Sequence, residues 1–209
     1  MQRFVLQSNI ERFERLLASE ASPDGRRIVA VLLGKARREL ALLDAASFGS
    51  QHMHVSQSSA LQFKPPSVEE ARKSFKRMFE QTSKAYLIID PGPGLHIVDL
   101  TDSYASATMI APSAIVGLPL FEVFPDNPTD PAADGVTNLY TSIKMVAQSR
   151  RPHTMSVQRY DIRDASGSFV VRYWRPVNTP LFGDHGEIEF ILHQAEDVTA
   201  AYKAAPQLH

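Results

Sequence analysis

Ala85-Tyr86-Leu87-Ile88-Ile89-Asp90 is followed by Pro91-Gly92-Pro93-Gly94 and then by Leu95-His96-Ile97-Val98-Asp99-Leu100. Two short apolar runs flank a Pro-Gly turn, which is the pattern of a β-hairpin. Upstream, Ser67-Val68-Glu69-Glu70 has the spacing of a capping box. It opens an expected helix to about residue 81, with Phe75, Met78 and Phe79 on its apolar side. Downstream, residues 102–124 are expected to form short helices, broken by Pro112, Gly117 and Pro119. A polar, proline-rich loop follows over 126–131. A longer helix is expected over 133–148, with Val136, Leu139, Tyr140, Ile143 and Val146 at helical spacing. Three more strands are expected at 154–162, 168–179 and 187–196, with turns at Ser166-Gly167 and Asp184-His185-Gly186. Two strands, a helical insert, then three strands describe an α+β fold with a five-stranded antiparallel sheet.

Residues 1–47 form a separate zone. Ile10, Phe13 and Leu17 recur at helical spacing. Ser22-Pro23 then offers an N-cap and a proline at the first helical position. A second helix carries Ile28, Val31, Leu32, Ala36, Leu40 and Leu43 on one side. A helical hairpin is therefore expected at the N-terminus. It must bury its apolar stripes on the rest of the chain, on a second copy or on a partner. Residues 48–66, rich in Ser, Gln and His and ending at Pro65-Pro66, read as a linker. Residues 200–209 read as a C-terminal tail.

Composition narrows the function. The 209 residues are 44% apolar and 22% charged, with a net charge of −1. That is globular and gives no basic field for nucleic acid or an anionic membrane. Arg26, Arg27, Arg37 and Arg38 on the second helix read as a solvated face. The chain has no cysteine, which removes disulfides, thiolate chemistry, Cys-ligated zinc and the flavin–cysteine adduct. No signal peptide and no run near the ~20 residues of a membrane span is legible, so a cytoplasmic protein is expected. Neither G-x-G-x-x-G nor a P-loop, H-E-x-x-H or G-x-S-x-G occurs, and no enzyme is expected. His52-Met53-His54 offers two metal ligands without a third. Asp126, Asp130 and Asp134 read as helix capping and solvation rather than a Ca²⁺ site. No metal site is expected.

The local wording resembles the PAS family. The 87–90 run, its Pro-Gly turn and His96-Ile97-Val98-Asp99-Leu100-Thr101-Asp102-Ser103-Tyr104 are similar to the opening hairpin of that fold, with Thr101 where Asn is common. Gly117-Leu118-Pro119-Leu120-Phe121-Glu122-Val123-Phe124 matches a G-x-P-x-x-x-x-F pattern. Glu196-Asp197-Val198-Thr199 resembles its closing tail. Phe124-Pro125-Asp126-Asn127-Pro128, Val157-Gln158-Arg159-Tyr160-Asp161-Ile162 and Tyr173-Trp174-Arg175-Pro176-Val177-Asn178-Thr179-Pro180 look like bacterial PAS domains found ahead of histidine kinases. The resemblance spans residues 67–199 and implies a PAS domain there.

It also implies a sensory or interaction role, either with a bound small ligand or as a ligand-free dimerisation module. Tyr104, Tyr140, Arg159, Tyr173, Trp174, Asn178 and His193 fall where a PAS pocket is built. Arg159 either clamps a ligand carboxylate or pairs with Asp161 or Glu196 while the aromatics form core. Strand parity puts Arg159 and Asp161 on one face and Tyr160 on the other. The cofactor is left unknown. Haem requires an axial ligand, and it is disfavoured because His153 follows the longer helix while His96 and His193 sit in expected strands. A homodimer, a histidine kinase or other signalling partner, and a small-molecule ligand are the expected partners. The sequence shows no output domain, so signalling through a partner or truncation is expected.

Overall fold

The structure is a computed structural model and describes residues 1–49 and 68–204. Most of the expected linker, Ser67 of the capping box, His52 and His54, and the end of the tail lie outside the described residues.

The N-terminal hairpin consists of α1 (Gln2–Ser19) and α2 (Pro23–Ala46). Pro23 starts α2, and the Ser22 side chain accepts from the Gly25 amide at 3.3 Å, which satisfies one otherwise unpaired donor. α3 (Val68–Phe79) precedes β1 (Tyr86–Ile89) and β2 (Ile97–Leu100). Short helices α4 (Asp102–Thr108), α5 (Pro112–Ile115) and α6 (Leu120–Val123) lead to the long α7 (Gly135–Ser149). β3 (His153–Thr154), β4 (Gln158–Arg159), β5 (Ile162–Arg163), β6 (Phe169–Val170), β7 (Tyr173–Phe182), β8 (Ile188–Asp197) and α8 (Thr199–Ala204) complete the order.

The main sheet runs β2-β1-β8-β7-β3, and β4 also pairs with β7. Every pairing is antiparallel. The helical insert lies between strands two and three, as the PAS resemblance implies. The single strand expected over 154–162 is broken into three pieces, and β5 pairs with β6 in a separate two-stranded hairpin. Pro176 supplies the reason for the break between β3 and β4. Its carbonyl accepts from the Met155 amide, so its missing N–H lies on the same side of β7, and the ladder cannot continue past it.

The two faces of the sheet bury different sets. Leu87, Ile89, Leu100, Trp174 and Ile191 point inward beneath α7 and the short helices. On the other face, Ala71 and Phe75 of α3 pack against Ile88 and Val98, with the Phe79 and Tyr86 rings beside them at 4.8 Å and tilted by 47°. Asp99, almost fully buried, holds α3 down through Arg72 at 3.3 Å and Lys76 at 3.8 Å.

Candidate functional site: a cavity beneath the long helix

Inside the domain, α7, α4 and the 155–162 segment line a partly open cavity of about 50 Å³ against the inner face of β7 and β8. Tyr104 and Thr108 come from α4, Gly135 and Leu139 from α7, and Trp174 and His193 from the sheet. Thr101 positions Tyr104. Its hydroxyl accepts from the Tyr104 amide at 3.2 Å and the Tyr86 amide at 3.0 Å, so it caps α4 while tying it to β1. Gly135 lets α7 approach. A Cβ there would meet the Tyr160 ring at 2.2 Å. Tyr160 in turn donates its hydroxyl to the Phe124 carbonyl, closing the cavity on that side.

A polar row crosses the sheet behind the cavity. His153, Asn178 and His193 are register partners on β3, β7 and β8. His193 Nδ1 lies 2.8 Å from Asn178 Oδ1, Asn178 Nδ2 donates to Ser142 Oγ at 2.7 Å, and Ser142 Oγ lies 2.8 Å from His153 Nδ1. Asn178 is fully buried and His193 is 5% exposed. Burial without a carboxylate partner pushes the His193 pKa down to about 4, so the ring is neutral. Tyr104, 4% exposed, meets the His193 ring edge to face at 6.0 Å, and burial pushes its hydroxyl pKa up.

Seven residues were named from sequence. Tyr104, Trp174 and His193 line the cavity, and Asn178 stands directly behind it. Tyr140 faces the hairpin, edge to face with Phe48 at 6.0 Å. Tyr173 stacks on Tyr202 of α8 at 4.0 Å, on the opposite face of β7 from Trp174. Arg159 is not at the cavity. Its guanidinium is 44% exposed and engages Asp161 at 2.9 Å and Asp130 at 2.8 Å. Those two carboxylates take its donors, so the ion-pair alternative describes it. Met155, Tyr160, Phe124 and Gly135 also border the cavity. The contact between Gly135 and Tyr160 is set by packing across residues distant in sequence, and no local pattern announces it.

Asp126 connects the cavity rim to the hairpin. Its Oδ1 accepts from the Val136 amide at 2.9 Å, so it caps α7 from a preceding loop, while Asp134, the formal N-cap, makes no side-chain cap bond. Its Oδ2 accepts from Arg38 of α2 at 2.6 Å, and Arg38 also donates to the Ala133 carbonyl. Among the described residues no group of three or more His, Asp or Glu side chains is placed to hold a metal ion. A cavity of about 50 Å³ is well short of the several hundred Å³ typical of cofactor pockets.

No family model and no curated protein matches the chain. Solved structures do. A Rhodobacter sphaeroides light-oxygen-voltage protein is 12% identical, with 65% of this chain and 71% of that one covered and a TM-score of 0.49. A PAS domain from Colwellia psychrerythraea is 14% identical over 62% of this chain and 98% of its own, with a TM-score of 0.46. A light-oxygen-voltage domain described with a flavin analogue is 18% identical over 62% and 87%, with a TM-score of 0.47. No helix among the described residues is long and apolar enough to cross a membrane.

Proposed function

We propose that this chain is a cytoplasmic sensory module of PAS architecture, not an enzyme. It takes a small molecule into the cavity beneath α7 and passes occupancy outward through α2. The signal is received by a second copy or by a partner such as a histidine kinase. One observation carries the reading. Tyr104 and His193 line the cavity, and among the described residues neither the Tyr104 hydroxyl nor His193 Nε2 makes a hydrogen bond. A polar molecule in the cavity can supply the hydrogen bonds that these two groups do not make within the protein.

The route outward is short. Tyr160, Phe124 and Gly135 line the cavity, and Asp126 joins that segment to Arg38. A ligand shifts the hairpin only if it binds one arrangement of this segment better than another. Hydrogen exchange tests the route, with xenon under pressure as the cavity probe. Protection should change at the start of α7 and in α2, and Arg38→Ala should remove the α2 response alone. Unchanged α2 amides with a filled cavity would refute transmission.

A second reading, an interaction module with no sensed ligand, draws on apolar residues that the hairpin exposes, Phe4 and Ile28 among them. It requires self-association that cavity occupation leaves unchanged. Sedimentation with and without the probe separates the two readings.

A further inference from the structure

We infer that the cavity selects a neutral, mainly apolar molecule of a few heavy atoms carrying one hydroxyl, which donates to His193 Nε2 and accepts from the Tyr104 hydroxyl. This rests on the sensory reading above and gives it a ligand class.

The polar groups on the cavity wall decide the polarity. Six lining residues carry polar side-chain atoms: Tyr104, Thr108, Gln158, Tyr160, Trp174 and His193. Four are satisfied within the protein. Thr108 donates to the Tyr104 carbonyl at 2.8 Å, and Trp174 Nε1 donates to the Tyr160 carbonyl at 2.9 Å. Tyr160 donates to the Phe124 carbonyl. Gln158 donates to the Ser156 carbonyl at 3.1 Å and accepts from Asn138 at 2.7 Å. Among the described residues, only the Tyr104 hydroxyl and His193 Nε2 make no hydrogen bond.

The tautomer of His193 follows from Asn178. One end of that amide lies 2.7 Å from Ser142 Oγ and 3.7 Å from Met155 Sδ. A thioether only accepts, so the NH₂ is at that end. The carbonyl then faces His193 Nδ1, which must carry the proton, and the neutral ring leaves Nε2 as an acceptor. The Tyr104 hydroxyl keeps its proton and is free to donate. The cavity thus offers one acceptor and one donor, and an alcohol matches both.

Charge is excluded by the same wall. No Lys, Arg, Asp or Glu lines the cavity, and a buried ion without a partner is costly. Carboxylates and ammonium ions of the same length are therefore rejected. Water has the right polarity and is the competitor. Leu139, Met155, Ile162 and Ala195 leave apolar wall that an alkyl chain covers and water does not.

The test uses the full chain and four probes: 1-butanol, butyrate, n-butylammonium and xenon, followed by NMR shifts of cavity residues and of the His193 side-chain nitrogens. Saturable binding of 1-butanol, at least tenfold tighter than either ion, with a shift at Nε2, is the expected result. Tyr104→Phe should weaken 1-butanol about fivefold to tenfold while leaving stability unchanged or higher, because the hydroxyl it removes bonds nothing in the protein. Butyrate or n-butylammonium binding as tightly as 1-butanol overturns the ligand class and leaves the sensory reading standing. So does xenon entering where 1-butanol does not. If neither xenon nor 1-butanol enters, the sensory reading falls as well. Should Tyr104→Phe fail to fold, the Nε2 shift in the unaltered chain decides alone, and its absence on adding 1-butanol counts against the proposal.

Discussion

His193 illustrates how one buried side chain sets a pH limit on the whole domain. Its folded pKa is pushed down to about 4 by burial, against an ordinary value of 6.5. As pH falls, the unfolded chain takes up this proton first, so unfolding is favoured progressively. The contribution is constant above about pH 6.5 and declines as pH drops towards 4. Urea unfolding at pH 7.5 and 4.5 should show a loss from this group on the order of 2–3 kcal/mol, and His193→Gln should flatten that part of the profile. Thr101 has a similar leverage through geometry. Its hydroxyl accepts from two amides and donates to the Lys84 carbonyl at 3.1 Å. Thr101→Val keeps the shape and loses all three bonds, so denaturant melts should report a loss of about 1–2 kcal/mol. Thr101 stands where Asn is common in the family it resembles, and the hydroxyl supplies the cap that such a position requires.

Among the elements, α7 and β7 control the cavity. α7 lies close to Tyr160 because Gly135 has no side chain, and it begins where Asp126 caps it. Gly135→Ala drives a methyl into the Tyr160 ring. The expected cost is about 1–3 kcal/mol in thermal or chemical unfolding, together with loss of cavity-probe binding as Tyr160 leaves the Phe124 carbonyl. β7 alternates up to Leu181, with Trp174, Pro176, Asn178 and Pro180 buried, and the register shift after Leu181 leaves Phe182 exposed. That alternation was legible in the sequence as a strand. Its prolines were legible too, but their effect was not. The break between β3 and β4 depends on which neighbour Pro176 would have bonded, and that requires the sheet order. Likewise, parity correctly separates Tyr160 from Arg159, yet cannot say which of the two faces inward.

At the scale of the molecule, the hairpin packs Ala41 and Ala45 of α2 into the core of the α+β domain, and a few polar contacts fix its position. Arg38 meets a carboxylate that is 3% exposed. The Gly94 amide donates to the Ala45 carbonyl at 2.9 Å, fixing the end of α2 to the β1–β2 turn. Arg3 reaches back to Asp44 at 2.7 Å, near Tyr140. Arg38→Ala leaves Asp126 without its cation, so it should cost about 2–3 kcal/mol and raise amide exchange in α2 and at the start of α7 more than in the sheet. Uniform exchange across the chain would mean that the hairpin is not latched at this point.

The sequence by itself determined most of the elements and their order, but not the splitting of the 154–162 strand or the helix α8. Helical spacing, the Ser22-Pro23 start, the Pro-Gly turn and strand alternation are local signals, and local backbone preferences act over a few residues. It also determined what the chain lacks, since a chain without cysteine makes no thiol adduct. Only the tertiary structure decided the site. It put Tyr104, Trp174 and His193 at one cavity, sent Arg159 to two carboxylates, and turned Asp126 from a loop residue into the cap of α7 and the anchor of Arg38. Those outcomes depend on which residues meet across long separations, and burial then sets their charge and hydrogen-bonding state.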